Sequence, residues 1–284
     1  MSYVTPTRLI DAAVQAGVAK ATLSFGQLLA RGTLAGAILA CATTLAFTAT
    51  TQTGLPLVGA LIFPVGFVMI VLLGLELVTG SFALIPLAVL ERRTNVRLML
   101  RNFAVVIVGH LLGCGLYAAL YLATITRMGT DQTHPLVAML IGAAETKTTG
   151  YGVLGASGIA LVIIKAILCN WMVALGAILA LTSTSTGGKI VAMWLPVTMF
   201  FALGFEHAVV NLFVIPAGML LGADVSIGQW WGWNQLPVLI GNFIGGVTLC
   251  AGLVYFSHRP RIQKADAAPE PAQAGAAEPV SATR

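Results

Sequence analysis

The sequence predicts an all-α polytopic membrane protein: six transmembrane helices in a 3+3 inverted repeat, with helices 2 and 5 interrupted. Three observations carry this. Apolar runs long enough to cross a bilayer recur along the chain, basic residues crowd the loops of one side, and the two halves repeat each other in register.

Hydrophobic residues make up 58% of the chain and charged residues 9%, and the mean hydropathy is +0.92. A soluble domain carries about 25% charged residues, so these are too few to cover a water-facing surface. The apolar runs lie at about 28–50, 57–90, 102–126, 153–183, 189–222 and 236–257. Each reaches the roughly 20 residues that a helix needs to span the hydrocarbon core. The second and fifth exceed one straight crossing and carry a polar interruption near their middles.

With the N-terminus inside and six crossings, Arg8, Lys20, Arg92, Arg93, Arg97, Arg101, Lys189, Arg259, Arg261 and Lys264 fall on the cytoplasmic side. Only Arg127 and Lys147 fall in the opposite loops. This positive-inside bias orients the chain in a bacterial-type inner membrane with both termini cytoplasmic. The net charge of +5 thus reports topology, and no nucleic-acid partner is expected.

Residues 1–23 hold Arg8, Asp11 and Lys20 among small apolar residues, the pattern of an amphipathic helix on the cytoplasmic membrane surface and not of a cleavable signal peptide. Residues 24–258 are the transmembrane pore domain. Residues 259–284, rich in Ala, Pro and Glu, have too little apolar surface to order themselves and are expected to be a disordered cytoplasmic tail. Cys41, Cys114, Cys169 and Cys250 lie in apolar spans without metal-site spacing and are expected to act as small core hydrophobes.

The repeat appears when the chain is slid on itself. GLELVTGSFALIP from Gly74 matches GFEHAVVNLFVIP from Gly204, pairing Glu76 with Glu206 and Pro86 with Pro216. FPV at Phe63 has a counterpart in LPV at Leu195. NFAVVIVGHLLG from Asn102 mirrors NQLPVLIGNFIG from Asn234, and the first and fourth spans align loosely through Arg31 and Lys165. Three spans per half is an odd number, so the second half sits upside down. Inverted repeats with broken helices are a transport architecture, with the path at the repeat interface near the midplane.

Each long span sets a glutamate, Glu76 or Glu206, beside a glycine at membrane depth. Irregular backbone there is tolerated only where protein or a wet cavity satisfies it, so each span is predicted to be two half-helices joined by a short break. The glutamates are expected to accept backbone N–H bonds and hold the broken turns together. His207, at the second break, is the residue expected to titrate, since imidazole changes charge near neutral pH. Thr79 in the opposing break is its expected partner, and Asn170 and Asn211 are polar groups that line or brace the same place. Phe63, Phe67, Leu77 and Phe200 flank the breaks and suit a pair of hydrophobic constrictions, which gate by dewetting.

These residues resemble the formate/nitrite transporter family. GFEHAVVNLFVIPAG is similar to its fifth-span signature and GLELVTGS to its second-span loop, and ILCNWMV around Asn170 and GNFIGG at Gly241 also fit. The similarity runs from about residue 4 to 257. It implies a homopentamer in which each aquaporin-like protomer has its own pore. It carries the central histidine onto His207, its threonine partner onto Thr79, the constrictions onto Phe63, Phe67, Leu77 and Phe200, and the fourth-span asparagine onto Asn170. The chain departs from the family pattern at Leu154, where a lysine is usual, and at His110, where the third span usually has asparagine. Lys147 and Lys165 are the two candidates for the missing vestibule charge.

The expected function is transport of a small monovalent anion or its conjugate weak acid, of the formate, nitrite or hydrosulfide class. The anion is drawn in by positive potential and neutralised before the dry constriction, because an uncompensated charge in an apolar slot is costly. A pore for water or ammonia is the alternative, against which stands the lack of an Asn-Pro-Ala pair at the breaks. A membrane-embedded enzyme would need a nucleophile–base or metal constellation, and the spans offer only isolated His110 and His207. No metal or cofactor is expected.

Overall fold

A computed structural model describes residues 3–258; the predicted tail, 259–284, lies outside the described residues. The described chain is all-α, with one isolated bridge between Tyr3 and Ser183 and no strand. Helix α1 (Pro6–Ala21) starts with proline in its first turn. Helix α2 (Phe25–Thr53) opens on a capping box, in which Ser24 Oγ accepts the Gln27 N–H and Gln27 Oε1 accepts the Ser24 N–H. There follow α3 (Pro56–Ile62), α4 (Pro64–Leu72), α5 (Val78–Leu90) and α6 (Val96–Ile125), the last capped by Asn95 Oδ1. The second half holds α7 (Pro135–Lys147), α8 (Thr149–Gly152), α9 (Ala156–Leu179), α10 (Thr186–Ala202) and α11 (Ala208–Leu220). A last helical rod combines α12 (Ile227–Trp230), α13 (Leu236–Ile244) and α14 (Leu253–His258) with two wider π-type stretches, Trp231–Gln235 and Gly245–Gly252.

Among the described residues, four rods are long and apolar enough to cross a bilayer: Phe25–Thr53, Val96–Ile125, Ala156–Thr182 and Ile227–His258. The shorter apolar helices come as two consecutive pairs, Pro56–Leu72 with Val78–Leu90 and Thr186–Ala202 with Ala208–Leu220.

The chain between the members of each pair takes the same path twice. In the first gap the Leu75 N–H reaches Ile70 O at 2.9 Å and the Gly74 N–H reaches Val71 O at 3.1 Å. In the second, Phe205 N–H reaches Phe200 O and Gly204 N–H reaches Phe201 O, both at 3.1 Å. Both are Schellman closures of a helix C-terminus, with glycine left-handed at φ 64° in each. A side chain in that conformation costs roughly 1–2 kcal/mol. We therefore expect Gly204→Ala to lower the thermal unfolding temperature of the purified protein in detergent, with Gly26→Ala, at an open helical position, as the control. Equal unfolding temperatures would show that the left-handed turn carries no strain.

Packing follows the repeat as well. Helix α2 lies against α6, and α9 against α13. A Cβ added at Gly113 would sit 1.8 Å from Thr33 O, and one at Gly241 would sit 2.6 Å from Ile163 O, so each pair meets backbone to backbone. Helix α1 packs on α5 as α7 packs on α11. The correspondence therefore extends to the surface segments, beyond the spans that sequence alone aligned. Cys114, Cys169 and Cys250 are buried, but Cys41 is exposed on α2, so it faces outward instead of filling the core.

Candidate functional site

Two buried glutamates organise the gaps. Glu76 Oε1 accepts a charged hydrogen bond from Lys20 Nζ at 2.9 Å, and its Oε2 accepts from Ser81 Oγ and Asn102 Nδ2, both at 3.3 Å. Glu206 Oε2 accepts from Lys147 Nζ and Asn211 Nδ2, both at 2.8 Å, and from Asn234 Nδ2 at 3.4 Å, while Oε1 accepts from Tyr151 OH at 2.8 Å. Each carboxylate is 2% exposed and its lysine about one-fifth exposed. The expectation that these glutamates collect backbone N–H bonds is overturned. Their donors are side chains, because an ionised carboxylate at this depth needs a paired cation and further hydrogen bonds.

The two clusters match part for part. Asn102 Nδ2 also donates to Lys20 O at 3.0 Å, and Asn234 Nδ2 to Lys147 O at 2.8 Å. Beside each stands a second cation. Arg31 Nη1 donates to Gly74 O at 3.2 Å, and Lys165 Nζ donates to Tyr151 OH at 3.2 Å, 5.8 Å from that ring's centre. Among the described residues Lys165 forms no ion pair.

Between the clusters, Thr79 Oγ1 and His207 Nε2 lie 3.1 Å apart, joining the start of α5 to the end of the second gap. His207 is the N-cap of α11, and its Nδ1 accepts the Val210 N–H at 3.2 Å. A neutral ring whose Nδ1 accepts carries its proton on Nε2, so Nε2–H donates to Thr79 Oγ1 and leaves the threonine hydroxyl proton free for another acceptor. Phe200 stacks on the imidazole at 5.4 Å, and Phe63 meets Phe200 edge-on at 5.6 Å. Phe67 and Leu77 line a cavity of about 390 Å³ that Lys20, Arg31, Glu76 and Lys189 also reach. The four predicted constriction residues thus fall into two groups, Phe63 with Phe200 and Phe67 with Leu77.

Asn170 Nδ2 donates to Thr79 O at 3.1 Å and Asn242 O at 2.7 Å, tying α9 to the start of α5 and to the last rod. These contacts bring together Thr79, Asn170, His207, Glu206 and Asn211, with Lys147 and Lys165 joined through Glu206 and Tyr151, while Leu154 is exposed. Sequence reasoning missed Lys20, Asn102, Asn234 and Tyr151 as site residues. Lys20 served only as a topology marker, and aligning the surface segment at 6–21 with that at 135–147 would have paired it with Lys147.

The profile of the formate/nitrite transporter family matches residues 7–256. The chain is 33% identical over 276 residues to a probable formate transporter of Methanothermobacter thermautotrophicus, covering 90% of this chain and 98% of that one. Among solved structures it is similar to a formate/nitrite transporter (FNT) family ion channel, with a TM-score of 0.74 and 25% identity over 89% of this chain and 100% of that chain. A pentameric formate channel with formate bound matches with a TM-score of 0.63 and 23% identity, over 78% of this chain and 92% of that chain. With its profile matched almost end to end and its paired gaps built alike, this chain belongs to the formate/nitrite transporter family.

Proposed function

We propose that each protomer of a homopentamer carries a small monovalent anion, or its conjugate weak acid, across an inner membrane through its own pore. The observation that carries this is the buried Thr79–His207 contact at 3.1 Å, and Phe63, Phe200, Phe67 and Leu77 nearby support its reading as a polar pair set between two apolar constrictions. Formate, nitrite and hydrosulfide are the substrate class, a choice supported by the names of the relatives. The chain crosses six times in an aquaporin-like protomer, with the two gapped helix pairs as spans 2 and 5 of an inverted repeat and both termini cytoplasmic. The positive-inside pattern supports this orientation.

The path begins at a mouth with surplus positive charge. Lys147 is neutralised by Glu206, and Lys165 beside it is the net positive charge that attracts the anion; Lys20, Arg31 and Lys189 serve the opposite mouth. The bare anion cannot pass the Phe63/Phe200 or Phe67/Leu77 constriction cheaply, since stripping its water without a counter-charge costs several kcal/mol. A proton relayed by His207, Thr79 and vestibule water neutralises the substrate before the dry constriction, and the acid slips through past the Thr79 hydroxyl. That hydroxyl is left free to donate because His207 Nε2–H already supplies its oxygen's other bond. Asn170 and Asn211 hold the threonine backbone and the glutamate in place.

The test is a flux panel in liposomes containing the purified protein: formate, nitrite, hydrosulfide, acetate and lactate at two pH values, with water swelling alongside. Uptake of the small anions that rises as pH falls is the expected outcome. Fast water swelling without anion flux would instead identify a neutral-solute pore.

A further inference from the structure

The protein holds a second fully buried histidine, which the proposed mechanism does not use. His110 on α6 lies 2.8 Å through Nδ1 from Gly32 O and accepts the Val78 N–H on Nε2 at 3.1 Å. A carbonyl only accepts and a backbone N–H only donates. The proton therefore sits on Nδ1 and the ring is neutral, in the opposite tautomer to His207.

The repeat explains what this ring is for. At the matching place on the last rod stands Asn242, whose Nδ2 donates to Ala166 O at 2.8 Å and whose Oδ1 accepts the Ala208 N–H at 2.9 Å. Val78 and Ala208 are the first residues of α5 and α11, and Gly32 and Ala166 are on α2 and α9. In both halves one side chain ties the first N–H of a half-helix to a carbonyl on the neighbouring long helix. Asn242 has a second N–H, which it gives to Glu206 O at 2.9 Å; imidazole has none to spare.

We infer that His110 is a positioning residue: an imidazole standing in for an amide, locked as the Nδ1–H tautomer, that fixes Thr79 through Val78 and takes no part in proton transfer. This rests on the proposed transport role of the Thr79–His207 pair. A proton added to Nε2 would point at the Val78 N–H and push the start of α5, with Leu77 and Thr79, out of place. Of the titratable groups on the packed elements, Lys20 acts on His110 electrostatically, and His110 in turn acts on His207. Glu76 is held by Lys20, Ser81 and Asn102, Arg31 by Gly74 O, and Cys114 lies one turn along α6. Helix α5 itself carries no acid or base.

The experiment compares formate uptake by His110→Asn and His110→Phe liposomes across about pH 5 to 8, with ¹⁵N-histidine NMR of the His207→Phe protein over the same range. Asparagine restores the donor and acceptor, so its uptake and pH profile follow the wild type. Phenylalanine keeps the ring shape but orphans the Val78 N–H, which as the first of α5 has no intrahelical acceptor, and uptake falls roughly tenfold or more at every pH. The NMR spectrum shows His110 protonated on Nδ1 and bare on Nε2, unchanged across the range. An altered pH profile in His110→Asn, wild-type uptake by His110→Phe, or a His110 ring that titrates in this range each overturns the inference. Wild-type uptake that ignores pH would defeat the transport reading instead, and the tautomer measurement would still decide the role of His110. It decides as well if His110→Phe fails to assemble.

Discussion

His207→Phe makes formate uptake independent of pH between about pH 5 and 8. The phenyl ring keeps the stack on Phe200, now at 5.4 Å, so the shape of the constriction survives. Two bonds are lost: the Nδ1 cap on Val210 N–H and the Nε2 contact with Thr79. Loss of a helix cap costs about 1 kcal/mol, which an assembled pore survives. Loss of the polar pair removes the relay that, in the proposed mechanism, protonates the substrate. Positioned proton-transfer groups contribute roughly 10²–10⁴-fold, and uptake at pH 5 should fall by at least the lower figure. Stopped-flow or isotope uptake in proteoliposomes measures both the slope and the drop. A variant whose uptake still climbs with acidity as the wild type does would end the role of His207.

Glu206→Gln produces the largest loss of stability. The amide leaves Lys147 Nζ without its carboxylate, 2.8 Å away, at a site only one-fifth exposed. Removing one partner of a buried ion pair costs about 3–5 kcal/mol, and the partial exposure of the lysine puts this pair near the lower figure. Thermal unfolding in detergent should show the loss, and Lys147→Met combined with Glu206→Gln should recover most of it, since the stranded charge is then gone. Uptake should recover with stability in the double variant, because the lost pair carried no net charge and Lys165, the proposed anion-attracting charge, remains. Uptake that stays low in a stable double variant would mean that Lys147 itself draws the anion.

Much of this was legible in the chain. Apolar runs, the loop charges and the matched Gly-x-Glu frames at Gly74 and Gly204 are local patterns, and each has a direct physical reading. A glutamate beside a glycine at membrane depth demands an irregular backbone satisfied from within, so the two gaps could be located without coordinates. What surrounded the glutamates could not. Lys20 is 56 residues from Glu76 and Lys147 is 59 from Glu206, and nothing within the glutamate motifs reports a partner so distant. The uncertain choice between Lys147 and Lys165 has the same origin. Both stand in the Glu206 cluster, one paired with the carboxylate and the other bonded to Tyr151 OH, and spacing along the chain could not say which was which.

The sequence by itself determined that the chain is helical and membrane-embedded, that it is built twice over, and that glycine and glutamate mark its two irregular places. Those properties follow from composition and short-range backbone preference. Only the tertiary structure decided that Thr79 meets His207, that His110 does the work Asn242 does in the other half, and that each carboxylate has its own lysine. Such pairings depend on how helices far apart in the chain come together in space. Hydrogen bonds and ion pairs act over a few ångströms, so side-chain partners are set only once the helices are packed.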